Sequence, residues 1–206
     1  MDIGFIFSGF LVGLLVGLTG VGGGSLMTPI LVLFFHIKPA LAVGTDLLYA
    51  SITKSVGIFA HGKLGNIDWK IVKRLMLGSI PASIFTTYYL RQIDVASTGA
   101  VDIIKFYLGI ALLLTSIAVI FRPFLIEKSK IVLFKSDNSI ALVTIILGFI
   151  LGGLVTLTSV GAGALGVTAL LLIYPKIGIT KIVGTDIAHA VPLTLVAGLE
   201  IGRAHV

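Results

Sequence analysis

Cysteine is absent from the chain, which rules out disulfides and thiolate metal sites and leaves the compartment open. Charge is scarce too. Asp, Glu, Lys and Arg make up 12% of the 206 residues, against 57% hydrophobic residues. A soluble domain of this length has too little interior to hide that apolar fraction. The fold class is therefore an all-α polytopic membrane protein. Acidic charge is the scarcer sign, and the formal net charge is +6. The basic residues lie in short gaps between apolar runs. That ties them to membrane orientation and excludes nucleic acid as a partner. The first residues, MDIGFIF, carry no basic n-region and no cleavage site, so they read as a first membrane segment and not as a signal peptide. No His/Asp/Glu spacing resembles a metal site and no Ser–His–Asp arrangement is apparent. Neither a metal, a cofactor nor an enzymatic reaction is expected.

What is there is a series of apolar segments: 3–20, 24–36, 40–60, 71–90, 100–121, 139–158, 164–175 and 179–199. A full crossing takes about 20 residues. Segments 24–36 and 164–175 are too short to cross comfortably, and each follows a glycine-rich break. They are expected to be the return arms of hairpins at 3–36 and 139–175, with full spans at 40–60, 71–90, 100–121 and 179–199. Trp69, Tyr88 and Tyr89 fall at span ends, where aromatic rings favour the membrane interface.

A hairpin returns to the side it entered from. Lys63, Lys70, Lys73, Arg74, Arg122, Lys128, Lys130, Lys135, Lys176 and Lys181 then share one side, and only Lys38, Arg91 and Lys105 the other. The richer side is assigned to the cytoplasm, including a basic linker at 122–138, and the N-terminus to the outside of the cell membrane.

Residues 9–28 align without gaps with 148–167, and eleven of the twenty pairs are identical, among them Gly13/Gly152, Thr19/Thr158, Gly22/Gly161 and Gly24/Gly163. After a shift of one residue, VGTD at 43–46 recurs at 183–186. Chance similarity of two apolar helices does not produce this, so the chain carries an internal duplication. The first copy, 1–121, is a hairpin plus three spans. That odd number of crossings makes the second copy, 139–200, inverted. It stops after its third segment, so the second repeat is truncated. The last six residues, IGRAHV, can be read in codons as a common sequencing adapter, and 201–206 are expected to be a non-native tail.

Inverted repeats with broken helices are a mark of secondary transporters, with the substrate site at the repeat interface. A glycine turn at membrane depth exposes backbone amides that cannot face lipid. A helix N-terminus suits an anion, and glycine lets the anion approach the backbone. Gly22, Gly23, Gly24 and Ser25 start the second arm of the first hairpin, and Gly161, Ala162 and Gly163 form the mirrored turn. Together with Thr19 and Thr158 they are the candidate substrate-binding residues. The alternative is that the glycines only allow close helix packing, which suits Gly9, Gly13 and Gly17.

The motifs GLTGVGGGSLMTPIL (17–31), ALAVGTDLL (40–48) and GKLGNIDWKIVKRLMLGSIPAS (62–83), with the weaker second copy TSVGAGALG (158–166) and VGTD, resemble the TauE/SafE-type sulfite and organosulfur-anion exporters, the TSUP transporters. The resemblance covers nearly the whole chain. It implies a transporter of small anions such as sulfite, sulfonates or related organic acids. The chain departs from the family pattern at Gly161-Ala162-Gly163, at the missing counterpart of Pro29, and at Asp46 and Asp186, where a small polar residue often follows GT.

Asp46, Lys54 and Asp186 lie within apolar segments, where each costs about 2.5–3.5 kcal/mol at a helix centre. Asp46, Tyr49 and Thr53 share a helical face, and Asp186 with His189 repeats its first two positions. One reading is a polar wall beside the hairpin tips, with Asp46, Asp186 or His189 carrying a proton. The other is that each Asp caps its helix near the interface. Lys54 either pairs with an Asp across the repeat or meets the anion. The partners expected are a small anionic substrate and the lipid bilayer, and a homo-oligomer is compatible with both. The alternative to transport is a membrane scaffold or sensor subunit that retains the fold.

Overall fold

A computed structural model of the chain describes residues 3–19, 23–92, 98–128 and 136–203. They form eight helices: α1 (Ile3–Thr19), α2 (Gly24–Leu33), α3 (Pro39–Lys63), α4 (Trp69–Gln92), α5 (Thr98–Lys128), α6 (Asp137–Thr158), α7 (Ala164–Ile173) and α8 (Ile179–Arg203). Each expected apolar segment is one helix. Their limits follow local chemistry. Pro39 opens α3, where a missing N–H costs nothing. Gly65, at φ 67°, takes the left-handed turn just after α3 ends. The Asp68 carboxylate accepts from the amides of Lys70 and Ile71 and so caps α4. α5 runs on to Lys128, so the start of the basic stretch 122–138 is helix, and 129–135 lie outside the described residues.

Among the described residues, Val101–Phe124, Asp137–Thr158 and Ile179–Ile201 are long and apolar enough to cross a membrane by length and composition alone. α3 and α4 have 25 and 24 residues, about 37 and 36 Å at 1.5 Å per residue. Their length suffices. They are less apolar because they carry Asp46, Lys54, His61 and Lys63, and Lys70, Lys73, Arg74 and Arg91. Phe10, Phe59 and Phe85 are among the large apolar side chains that face outward, as suits a lipid surround.

The closest packing joins α4 to α6 and α3 to α8. Little drives helices together in lipid except fit, so small residues mark these seams. A Cβ on Gly148 would strike the Leu75 backbone, one on Gly152 the Ser79 backbone, and one on Gly78 the backbone of Ile145 and Phe149. Between α3 and α8, Gly198 lies against Leu48 and Gly44 against Ile201, around a core of Val43, Leu47, Ala190, Leu193 and Ala197. α8 thus continues past residue 200, with Ile201 buried.

The packing role expected of Gly9 and Gly13 falls instead to their repeat counterparts. Nothing lies within 4 Å of a Cβ on Gly9 or Gly13. The reason is position: α1 has α2 as its main neighbour, whereas α6 lies along α4.

Each hairpin is closed at its base. Gly4, at the start of α1, lies 3.4 Å from the Phe35 ring (measured from a Cβ built on it), just past the end of α2. Arg74 on α4 donates to Asp137 at the start of α6 (2.7 Å) and to the Tyr174 hydroxyl just past the end of α7 (3.4 Å). Tyr174 in turn shares a 2.7 Å hydrogen bond with Thr144 of α6.

Candidate functional site

The two hairpin turns meet inside the bundle. Gly24, the first residue of α2, is buried against the second turn, and a Cβ on it would fall on the Ser159 carbonyl. Only glycine permits that approach. The second turn is shaped by three left-handed residues, Ser159 (φ 59°), Gly161 (φ 122°) and Gly163 (φ 130°). Thr158 holds it: its hydroxyl donates to the Leu154 carbonyl (2.7 Å) and accepts from the Val160 amide (3.1 Å). That hydroxyl is therefore engaged within its own turn. Thr19 ends α1, but its side chain, like the whole of Gly22, lies outside the described residues.

Asp46 sits beside the first turn. It is fully buried and accepts a 2.7 Å hydrogen bond from Thr28 of α2 on Oδ2. Its Oδ1 has no hydrogen-bond partner and faces Gly23, 3.9 Å from a Cβ built there. The Ser159 hydroxyl also faces this carboxylate and is itself buried without a partner. α3 begins at Pro39, well before Asp46, so the helix-capping role considered for Asp46 does not hold.

Asp186 is buried in α8, with Oδ1 unpartnered against Gly166 of α7, where a side chain would collide with it. Where Asp46 meets a threonine, Asp186 meets a glycine. Lys54 lies near both carboxylates. Its ammonium donates across the repeat, but to the Ala162 carbonyl of the second turn (3.1 Å) and not to a carboxylate. The second turn thus presents Ala162 to Lys54 as an acceptor. His189 is fully buried, with Nε2 2.8 Å from the Ser79 hydroxyl of α4 and Nδ1 unpartnered. Thr156 of α6 donates to Ser83, one turn along α4 from Ser79, at 2.9 Å.

The structure therefore brings Gly23, Gly24, Asp46, Lys54, Asp186, His189 and the Ser159–Gly163 turn into one buried polar region. It does not bring Tyr49 or Thr53 there. Both are exposed, and the Thr53 hydroxyl bonds its own helix backbone. The inward face of α3 runs through Val43, Asp46, Leu47 and Ala50 and leaves Tyr49 and Thr53 outside it. Thr28, Ser159, Ser79, Ser83 and Thr156 were not legible as site residues. Thr28, Ser79, Ser83 and Ser159 stand inside the quoted motifs, and that was their only signal; Thr156 stands outside them. A cavity of about 320 Å³ opens beside the first turn of α2, lined by Ser25 and Leu26 of α2 and by Leu112, Thr115, Ser116, Val119 and Ile120 of α5.

Residues 5–204 match the family model described as Sulfite exporter TauE/SafE. The chain is 42% identical over 202 residues to the probable membrane transporter protein YjnA of Bacillus subtilis (strain 168), covering 97% of this chain and 78% of that one. It is 32% identical over 201 residues to the probable membrane transporter protein MJ0441 of Methanocaldococcus jannaschii, covering 94% and 69%. No solved structure matches it.

Proposed function

We propose, for a chain that belongs to the sulfite exporter TauE/SafE family of membrane transporters, that it moves small anions such as sulfite, sulfonates or related organic acids through a site between its two hairpin turns. The observation that carries this reading is the backbone-to-backbone meeting of Gly24 and Ser159 beside a half-buried ammonium, Lys54. Broken helices at membrane depth are tolerated only where protein or a wet cavity covers the backbone. Here the start of α2, at Gly23 and Gly24, offers amide donors for an anion. Lys54 supplies positive charge, and the cavity at Ser25 offers an approach. Gly161, Ala162 and Gly163 close the opposite side, with Thr19 and Thr158 as the helix ends that set the turns.

An inverted repeat accounts for the placement of the hairpin bases. Gly4 and Phe35 mark the first base, and α3 departs directly from it. Arg74, Asp137 and Tyr174 mark the second base, which α4 shares after α3 has run its length. The basic bias puts this second base in the cytoplasm, with the N-terminus outside.

The site has a charge problem that implies coupling. Asp46 and Asp186 carry two negative charges and Lys54 one positive charge. An anion bound at Gly23 would lie beside Asp46 Oδ1. Buried like charges at that range exclude one another unless one is neutralised. A proton or other cation taken up at Asp46, Asp186 or His189 removes the obstacle and links cation movement to anion movement. A scaffold that did not transport would gain nothing from two buried carboxylates with unpartnered oxygens.

The test is flux. Purified chain in liposomes is offered sulfite, sulfonates and small carboxylates in turn. Saturable flux of at least one, above protein-free vesicles, is expected. Absence of flux for the whole panel overturns the reading.

A further inference from the structure

Two buried carboxylates share one nearby ammonium, which donates to the Ala162 carbonyl and not to either of them. Of the two, Asp46 is the one that meets other side-chain oxygens. Oxygens from three separate elements surround it. Thr28 Oγ1, from α2, donates its proton to Oδ2 at 2.7 Å and keeps its lone pairs free for another partner. Ser159 Oγ, from the turn after α6, is buried and faces the same carboxylate, with its lone pairs unfilled. Asp46 Oδ1, from α3, is likewise buried and unbonded. Ser159 is also the C-cap of α6, so the carbonyl end of that helix, with its partial negative charge, points into the same place. The ammonium nearby donates to the Ala162 carbonyl.

We propose that Asp46, Thr28 and Ser159 form a binding site for a sodium ion. The chemistry fits on three counts. The ligands are hard oxygens, which suit an alkali or alkaline-earth ion. There is one carboxylate, and the charge to be balanced is one, which selects a monovalent ion. The site also lies where a helix ends at membrane depth, and in transporters built from discontinuous helices such ends are where coupling ions are held. The ion neutralises Asp46 Oδ1 next to Gly23, and so allows an anion to occupy the α2 turn. That last step rests on the transport reading above; the binding of the ion does not.

The test uses the purified full chain in detergent micelles and radioactive sodium, with ionic strength held by choline chloride and no anionic substrate added. Saturable sodium binding is expected. Asp46→Asn abolishes it. Ser159→Gly removes the hydroxyl but favours the left-handed backbone that position adopts, so it folds, and it weakens binding by about 10-fold or more. Thr53→Ala, on the exposed face of α3, leaves binding unchanged. A monodisperse wild-type chain with no saturable sodium binding overturns the site, as does a Ser159→Gly chain that binds sodium as tightly as wild type. Anion flux that needs no sodium and follows a pH gradient overturns the sodium site while leaving the transport reading standing. Sodium binding without flux of any anion does the reverse.

Discussion

The Lys54 ammonium donates to the carbonyl of Ala162, 3.1 Å away and 108 residues distant in sequence. One bond thereby ties the third helix to the turn of the second hairpin. It also puts a cation near Asp186 and Asp46, both of them buried. Lys54→Met removes both functions. Breaking a buried charge arrangement by deleting one partner costs about 3–5 kcal/mol. The expected result is a large drop in thermal stability of the detergent-solubilised chain, partly restored in Lys54→Met/Asp186→Asn, where the excess charge is reduced. Equal melting of Lys54→Met and wild type would remove Lys54 from the account.

The two copies of the glycine motif should respond oppositely to alanine. Gly148→Ala places a Cβ against the Leu75 backbone, and overpacking of this kind costs about 1–3 kcal/mol. Gly13→Ala meets open space and gains about 0.8–1 kcal/mol in helix propensity. Thermal melts of the two variants side by side decide it. Destabilisation by Gly13→Ala as great as by Gly148→Ala would mean that α1 is packed at Gly13 in the membrane.

Ser79 is the hydrogen-bond partner of His189 Nε2. Ser79→Ala leaves a buried ring nitrogen unsatisfied, at a cost of about 1–3 kcal/mol. A stability loss in that range, relieved when His189→Leu is added, is expected from paired melts. A loss unchanged by the second substitution would show that Ser79 acts through packing alone.

These contrasts separate what a linear reading reaches from what it does not. All eight helices were legible because hydropathy and glycine breaks are local signals, and each apolar run became one helix. The convergence of Gly24 on Ser159 is different in kind. It depends on two turns meeting after more than half the chain has folded between them, and no spacing encodes it. Asp46 illustrates the same limit. GTD near the start of an apolar run suggests a cap, but α3 starts earlier, at Pro39, and carries Asp46 inward. Tyr49 and Thr53 share helical spacing with Asp46 but are exposed where Asp46 is buried, because spacing identifies a stripe without saying where along it the protein interior ends. Arg74 was counted only as a topology charge. Its bonds to Asp137 and Tyr174 are long-range and invisible in sequence.

Topology can be tested with engineered cysteines, since the chain has none of its own. Ser136→Cys, just ahead of α6, is expected to react with an impermeant thiol reagent only after cells are opened. Labelling in intact cells would reverse the assigned orientation.

The central claim, that an anion binds at the first glycine turn, is tested most directly by calorimetric titration of sulfite and sulfonates into the purified chain, wild type against Gly23→Leu. The leucine side chain would grow toward Asp46 Oδ1 and block close approach to the backbone. Losing even one charge-assisted hydrogen bond, worth about 1.5–3 kcal/mol, weakens affinity by about 10-fold or more. The account predicts saturable binding of at least one of these anions to wild type. It also predicts at least that loss in a monodisperse Gly23→Leu chain, and unchanged affinity in Gly13→Leu. A folded Gly23→Leu chain that binds its anion as tightly as wild type would contradict it.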